Sequence, residues 1–261
     1  MGLLVVSVFG FCAIFAPWLA PYGQSEIVGD VWEPLFGNFF FGTDQIGRDM
    51  LSMLIYGARN MIALALLTTG CAFGLGSLLG FLAATMGGWV DQVLSRFVDV
   101  VISIPTLIFA LIVLSSTGTS IFALVTVIAI IYAMPVYRIA RAVAMDIEVM
   151  DYVEAARLRG EGLWWIMRKE ILPNALTPLA AEFGLRFCFV FLLISGLSFL
   201  GLGLQPPLAD WGAMVRDNGG GIAWGFMHPL VPATCIALLT IGINLIVDSV
   251  VQKASGLREY H

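Results

Sequence analysis

Apolar residues gather in long stretches at about residues 3–20, 61–86, 97–116, 121–140, 178–200 and 229–250, and polar and charged residues fill the segments between them. Each stretch is near the ~20 helical residues needed to cross a bilayer core. The pattern therefore predicts an all-α integral membrane protein of about six transmembrane helices, with the lipid bilayer as its surroundings. Residues 1–261 read as one transmembrane domain. It has an outer loop at about 21–60, an inner loop at about 141–177 and a second outer loop at about 201–228.

One polar segment is more ordered than a connection requires. Residues 151–173 hold a charged, helix-prone island that ends at Pro173. Ala155, Ala156, Arg157 and Leu158 favour helix, Gly160 and Gly162 interrupt it, and Leu163 to Ile171 resume it, so two short helices with a bend are expected. Trp164, Trp165 and Ile166 are apolar on a segment placed outside the bilayer and need the interface or a protein cover. The residues alone leave two readings open, a docking surface for a soluble partner or a helix lying on the membrane.

Composition reinforces the membrane reading, with 59% hydrophobic and 12% charged residues and a mean hydropathy of +0.94, outside the usage of soluble domains. With alternating spans, Arg96, Arg138, Arg141, Arg157, Arg159, Arg168, Lys169, Lys253 and Arg258 fall on one side and Arg48, Arg59 and Arg216 on the other, with Arg186 inside the fifth span. The positive-inside rule makes the richer side and both termini cytoplasmic. The net charge of −5 does not oppose this, since acidic residues weigh little in orientation. No basic surface for nucleic acid is visible. Cys12, Cys71, Cys188 and Cys235 form no CxxC pair and read as ordinary buried thiols.

Residues 3–20 lack the basic region of a secretory signal, and Val6 stands where a myristoylation pattern wants Ser or Thr, so the segment reads as a first membrane helix. Its abrupt start is expected to reflect a missing cytoplasmic arm or a late-assigned start. In the second span Gly70/Gly74 and Gly76/Gly80 are small-xxx-small pairs suited to close packing. Pro105 and Pro135 kink or end helices. Glu182 and Arg186, four residues apart, read as a structural pair, with substrate sensing the alternative. Asp99 and Asp248 lie near helix ends and are read the same way.

In the first outer loop, Gly42-Thr43-Asp44 and Gly47-Arg48-Asp49 suggest a turn in which Asp44 and Asp49 cap or pair with Arg48, followed by a surface-lying helix; a contact site is the alternative. In the second, Pro206-Pro207 stops the helix and Trp211 reads as an interfacial anchor, with docking or gating the sharper alternative.

Catalytic constellations are missing. The histidines, His228 and His261, form no His-Glu-x-x-His, and no phosphate-binding Gly-x-x-x-x-Gly-Lys-Ser/Thr loop occurs around Lys169 or Lys253. No cofactor is expected in this chain. An intramembrane enzyme is disfavoured, whereas an ATPase-independent secondary transporter or channel remains a rival.

Glu154-Ala155-Ala156, Gly160 and Leu172-Pro173 resemble the EAA loop of the membrane subunits of ATP-binding-cassette importers. More narrowly, Gly42-Thr43-Asp44, Gly47-Arg48-Asp49, Gly57-Ala58-Arg59, Ile171-Leu172-Pro173-Asn174, Leu197 to Gly203, Pro206-Pro207 and Trp211-Gly212, in this order over nearly the whole chain, are similar to the dipeptide/oligopeptide permease family. Departures are Met53, where the family commonly has Arg, Glu170, where the general pattern has Ile, and the absent N-terminal arm. The resemblance implies a type I importer permease in the bacterial cytoplasmic (inner) membrane. It would pair with a second permease subunit, two cytoplasmic ATPase subunits that carry ATP and Mg, and an extracytoplasmic substrate-binding protein. It further implies ATPase coupling through Glu154, Ala155, Ala156, Arg157, Gly160, Leu172 and Pro173, and binding-protein docking or an outer gate at Asp44, Arg48, Asp49, Pro206, Pro207 and Trp211. The implied cargo is di- or oligopeptide, although the family also carries nickel, opines and glutathione.

Overall fold

The computed structural model describes residues 1–254; the sequence readings for Arg258, His261 and the side chain of Lys253 fall outside the described part. The described chain is helical, with two isolated β-bridges, Ile27 to Arg48 and Thr43 to Asp49, tying its first long loop. In chain order the helices begin with α1 (Gly2–Ile14), α2 (Ala16–Leu19), α3 (Met50–Met86), α4 (Gly88–Ile102), α5 (Thr106–Thr117) and α6 (Ile121–Glu148). They continue with α7 (Asp151–Leu158), α8 (Leu163–Ile166), α9 (Leu172–Phe199), α10 (Trp211–Asn218) and α11 (Leu230–Ala254).

Four runs are long and apolar enough to cross a membrane: α3, α6, Leu163–Phe199 and α11. α4 and α5 qualify only together, as a broken span bent by 86°, and α1 is apolar but 13 residues long. The break sits at Ser103 to Pro105, where proline cannot donate a helical hydrogen bond and pushes the preceding residue toward extended backbone.

Two helices run beyond their apolar stretches. α3 starts at Met50, not near 61, because the Asp49 carboxylate caps it, accepting the Ser52 N–H at 2.9 Å and the Ser52 hydroxyl at 2.6 Å. The expected surface helix after the turn is thus the first part of the span itself. Likewise the second helix of the island is joined to the next span, since a π turn over Met167–Ile171 links α8 to α9. That wider turn accommodates Pro173, whose ring would crowd a regular helix, and Asn174 Nδ2 donates to the Glu170 carbonyl at 2.6 Å.

α3 and α6 form the most extensive helix pair. A Cβ on Gly76 would lie 2.5 Å from the Ala133 carbonyl, and one on Gly80 would lie 2.8 Å from backbone atoms of Tyr137 and Arg141. Gly70 and Gly74 have no such neighbours, so only the second small-xxx-small pair brings backbones together. One core joins α3, α6, α9 and α10 around Met61, Leu124, Ile128, Phe191, Ile194 and Trp211. A separate core lies at the α7 end, around Phe81, Ala144, Val153, Ala156, Ile166 and Ile171.

Candidate functional site

Two surfaces carry the sequence-predicted residues, one at each end of the bundle. At the α7 end, eight residues form a helix docked on the second core through Val153 and Ala156, both fully buried. Ala155 and Glu154 face outward, as do Arg157 and Gly160. The two alanines thus divide the work, Ala156 seating the helix on its own protein and Ala155 facing away. Tyr152, Ala155 and Leu158 recur every three residues and make an exposed face, with Leu158 83% exposed. Sequence reading missed Tyr152 and Leu158, although the three-residue spacing was there to find them.

The end of α7 depends on Gly160. Its φ of +82° is the left-handed conformation that glycine adopts freely. Its N–H donates to the Arg157 carbonyl at 2.9 Å and the Glu161 N–H to the Ala156 carbonyl at 3.2 Å, the paired bonds of a Schellman stop. Arg157 pairs with Glu148 on the last turn of α6, and Arg159 lies 5.7 Å over the Trp165 ring. Leu172 and Pro173 are exposed at the start of α9. Leu172 lines an apolar groove of about 540 Å³ between α3 and α9, with Trp164 and Arg168 among its other walls.

At the opposite end, residues 21–49 and 200–228 lock together. The Asp44 carboxylate accepts the N–H groups of Ile46 and Arg48, each at 2.9 Å, and pairs with the Arg48 guanidinium at 2.6 Å. Asn218 joins the segments by accepting the Gln45 N–H at 3.1 Å and the Trp32 indole N–H at 3.2 Å. Gln24 Oε1 accepts the Ala209 N–H at 3.2 Å and the Asn60 amide at 3.3 Å. Buried His228 meets the Glu33 carbonyl at 2.8 Å.

Trp211 is not interfacial. It is fully buried and donates from Nε1 to the Leu54 carbonyl at 2.9 Å, and its indole fills the space that a Cβ on Gly57 would enter. Asp210 caps α10, accepting the N–H groups of Gly212 at 2.8 Å and Ala213 at 3.1 Å and the Ser198 hydroxyl at 2.6 Å. Burial pushes the Asp210 carboxyl above its usual range, outweighing the hydrogen bonds that pull it down. Asp44, Asp49 and Trp211 are therefore internal ties with no surface for direct contact, and Arg48 is mostly covered. Of the residues singled out in the outer loops, Pro206 and Pro207 are exposed, beside exposed Gln205.

Between the two ends several charged side chains are paired. Asp99 meets Arg138 at 2.5 Å, Asp91 meets Arg141, and Ser95 and Tyr137 share a hydrogen bond of 2.9 Å, all between α4 and α6. Glu182 and Arg186 pair along α9 as their spacing suggested. Among the described residues no group of acidic, His or Cys side chains could hold a metal ion.

The family model described as "Binding-protein-dependent transport system inner membrane component" matches residues 76–254. The di/tripeptide transport system permease protein DppC of Pseudomonas aeruginosa is 36% identical over 95% of this chain and 84% of its own length. The probable D,D-dipeptide transport system permease protein DdpC of Escherichia coli is 33% identical over 91% of this chain and 80% of its own. Among solved structures, the MetNI methionine ABC transporter in inward-facing form aligns with a TM-score of 0.56 at 20% identity, over 77% of this chain and 97% of that one, and supports the fold. Helical architecture, apolar spans and these relatives agree: the chain belongs to the binding-protein-dependent transport inner membrane component family, among the dipeptide and oligopeptide permeases of ATP-binding-cassette importers.

Proposed function

We propose that this chain forms, with a second permease, the path by which di- or oligopeptides enter the bacterial cytoplasm, and that α7 is the handle through which two ATPase subunits move it. A separate extracytoplasmic protein delivers the peptide. ATP and Mg bind to the ATPases, and both termini of this chain lie in the cytoplasm with α7. The observation that carries the reading is α7 itself, a short helix anchored inward by Val153 and Ala156, stopped by Gly160, and presenting Tyr152, Ala155 and Leu158 to the outside. Such a face fits a groove in a rigid partner. Because α7 sits on the ends of both α6 and the α8–α9 run, a displacement of α7 reaches two spans at once.

At the other end, exposed Gln205, Pro206, Pro207 and Ile46 offer places for a delivering protein to touch. The names of the relatives support peptide cargo. The test is uptake of a labelled dipeptide into proteoliposomes holding both permeases and the ATPases, with binding protein outside and ATP inside. Uptake that needs every component is expected. Equal uptake by the permeases alone would replace this reading with a secondary transporter.

A further inference from the structure

Inside the apolar body, a cavity of about 120 Å³ lies where the α4–α5 break meets α6 and α9. Its walls include Ile104 and Thr106 at the break, Ile131, Tyr132 and Pro135 on α6, and Arg186 on α9. Three features give it polar character within an apolar span. Pro135 has no N–H, so the Ile131 carbonyl four residues earlier lacks its helical donor. No side chain caps the start of α5, which leaves its first N–H groups without intrahelical partners and with the positive end of the helix dipole toward the break. Arg186 uses Nε for Glu182, and its side chain is 18% exposed.

A break in a membrane helix leaves backbone groups that lipid cannot satisfy, so it is tolerated where it lines a cavity that does. Unwound spans facing an ionisable side chain are a recurring way to hold a charged cargo within the membrane. The volume suits a small group, roughly four waters at ~30 Å³ each, and not a whole peptide. The donors that border it, a guanidinium and a helix N-terminus, match a carboxylate. Phe189 and Leu192 on α9, with Leu107 and Ile108 on α5, are exposed nearby, so the cavity borders an uncovered apolar face.

We propose that this cavity is a transient subsite for the C-terminal carboxylate of a passing peptide, received by Arg186 as it exchanges Glu182 for the cargo. The proposal rests on the peptide-importer reading. At rest the Glu182 carboxylate holds the guanidinium in place and neutralises it; when the cargo carboxylate arrives, Glu182 is freed toward the cationic end of the peptide.

The test uses the complete complex in proteoliposomes and compares uptake of a dipeptide with that of its C-terminal amide. The unchanged binding protein contributes equally in every variant, so the acid-to-amide ratio relative to wild type isolates this chain. The double variant Glu182→Gln/Arg186→Gln removes the pair without leaving a lone buried charge, and Ile104→Trp narrows the cavity while keeping the pair. Both are expected to lower the ratio about tenfold, the size of one charge-assisted contact. An unchanged ratio, or equal losses of acid and amide uptake, overturns the subsite while leaving the importer reading intact. Failure of the wild-type complex to take up either peptide overturns both. Where the double variant does not insert, Ile104→Trp decides alone, by the same two outcomes.

Discussion

Replacing Ala156 with arginine separates the seat of α7 from its outward face. The helix is held to the body by two fully buried side chains, Val153 and Ala156. Burial of a valine contributes about 1.5–3 kcal/mol and the alanine methyl about 0.8 kcal/mol. The Arg157–Glu148 pair adds little, because Arg157 is half exposed. Docking therefore amounts to roughly 2–4 kcal/mol, a local opening well below global unfolding.

An arginine at 156 would meet Ile147, Ile166, Met167 and Ile171, and burying an unpartnered guanidinium costs several kcal/mol. α7 should lift off while the main core, which contains none of these residues, stays folded. Hydrogen exchange over 151–158 should then accelerate by about 30-fold or more, the equivalent of 2 kcal/mol. Membrane insertion should be normal and peptide uptake abolished. Ala155→Arg places the same side chain outside; it should leave exchange at wild-type levels and still abolish uptake, because the added bulk lies on the face proposed to meet the ATPase. Wild-type uptake by Ala155→Arg would remove the assignment of that face, and wild-type protection in Ala156→Arg would refute the seating argument.

Trp211→Ala should destabilise the protein by about 3–5 kcal/mol, read as a lower midpoint of thermal unfolding, since it empties a site walled by Phe9, Phe191 and Gly57. Gly160→Ala should cost only about 1 kcal/mol, from the left-handed backbone and not from crowding, and should speed exchange in 156–161 alone. For Asp210, the folded pKa lies above the unfolded value of about 3.9, so the native state holds its proton to higher pH and stability falls as pH rises through the folded pKa. Asp210→Asn should flatten that decline in melts taken across about pH 4 to 8; a variant with the parent slope would show that the carboxyl does not titrate in this range. Cysteines at Ile46 and Pro207, both exposed, should crosslink to the delivering protein, and absence of any such product in an active complex would move the docking surface elsewhere.

Helices were legible because apolar runs of membrane length leave the backbone few alternatives in lipid. The Glu182–Arg186 pair and the Gly160 stop were equally local, spanning a single helical turn or a single φ angle. Joining α8 to α9 was not legible, because proline reads as a boundary and only the π turn shows how the chain passes it. Ends were misjudged too. The start of α3 depends on Asp49 and Ser52, polar residues outside the apolar run.

What the sequence by itself determined is the membrane class, the helical architecture and the family to which the motifs point. Each follows from composition or from residues close together in the chain. Tertiary structure alone decided that Trp211 is an internal post and not an interfacial anchor, that Asp44 and Asp49 are ties and not contacts, and that Ala156 turns in while Ala155 turns out. It also decided that the Pro105 break, Pro135 and Arg186 share one cavity. Burial and convergence depend on groups far apart in sequence: the Leu54 carbonyl accepts a hydrogen bond from Trp211, 157 positions away, and no local pattern encodes which distant surface a side chain will meet.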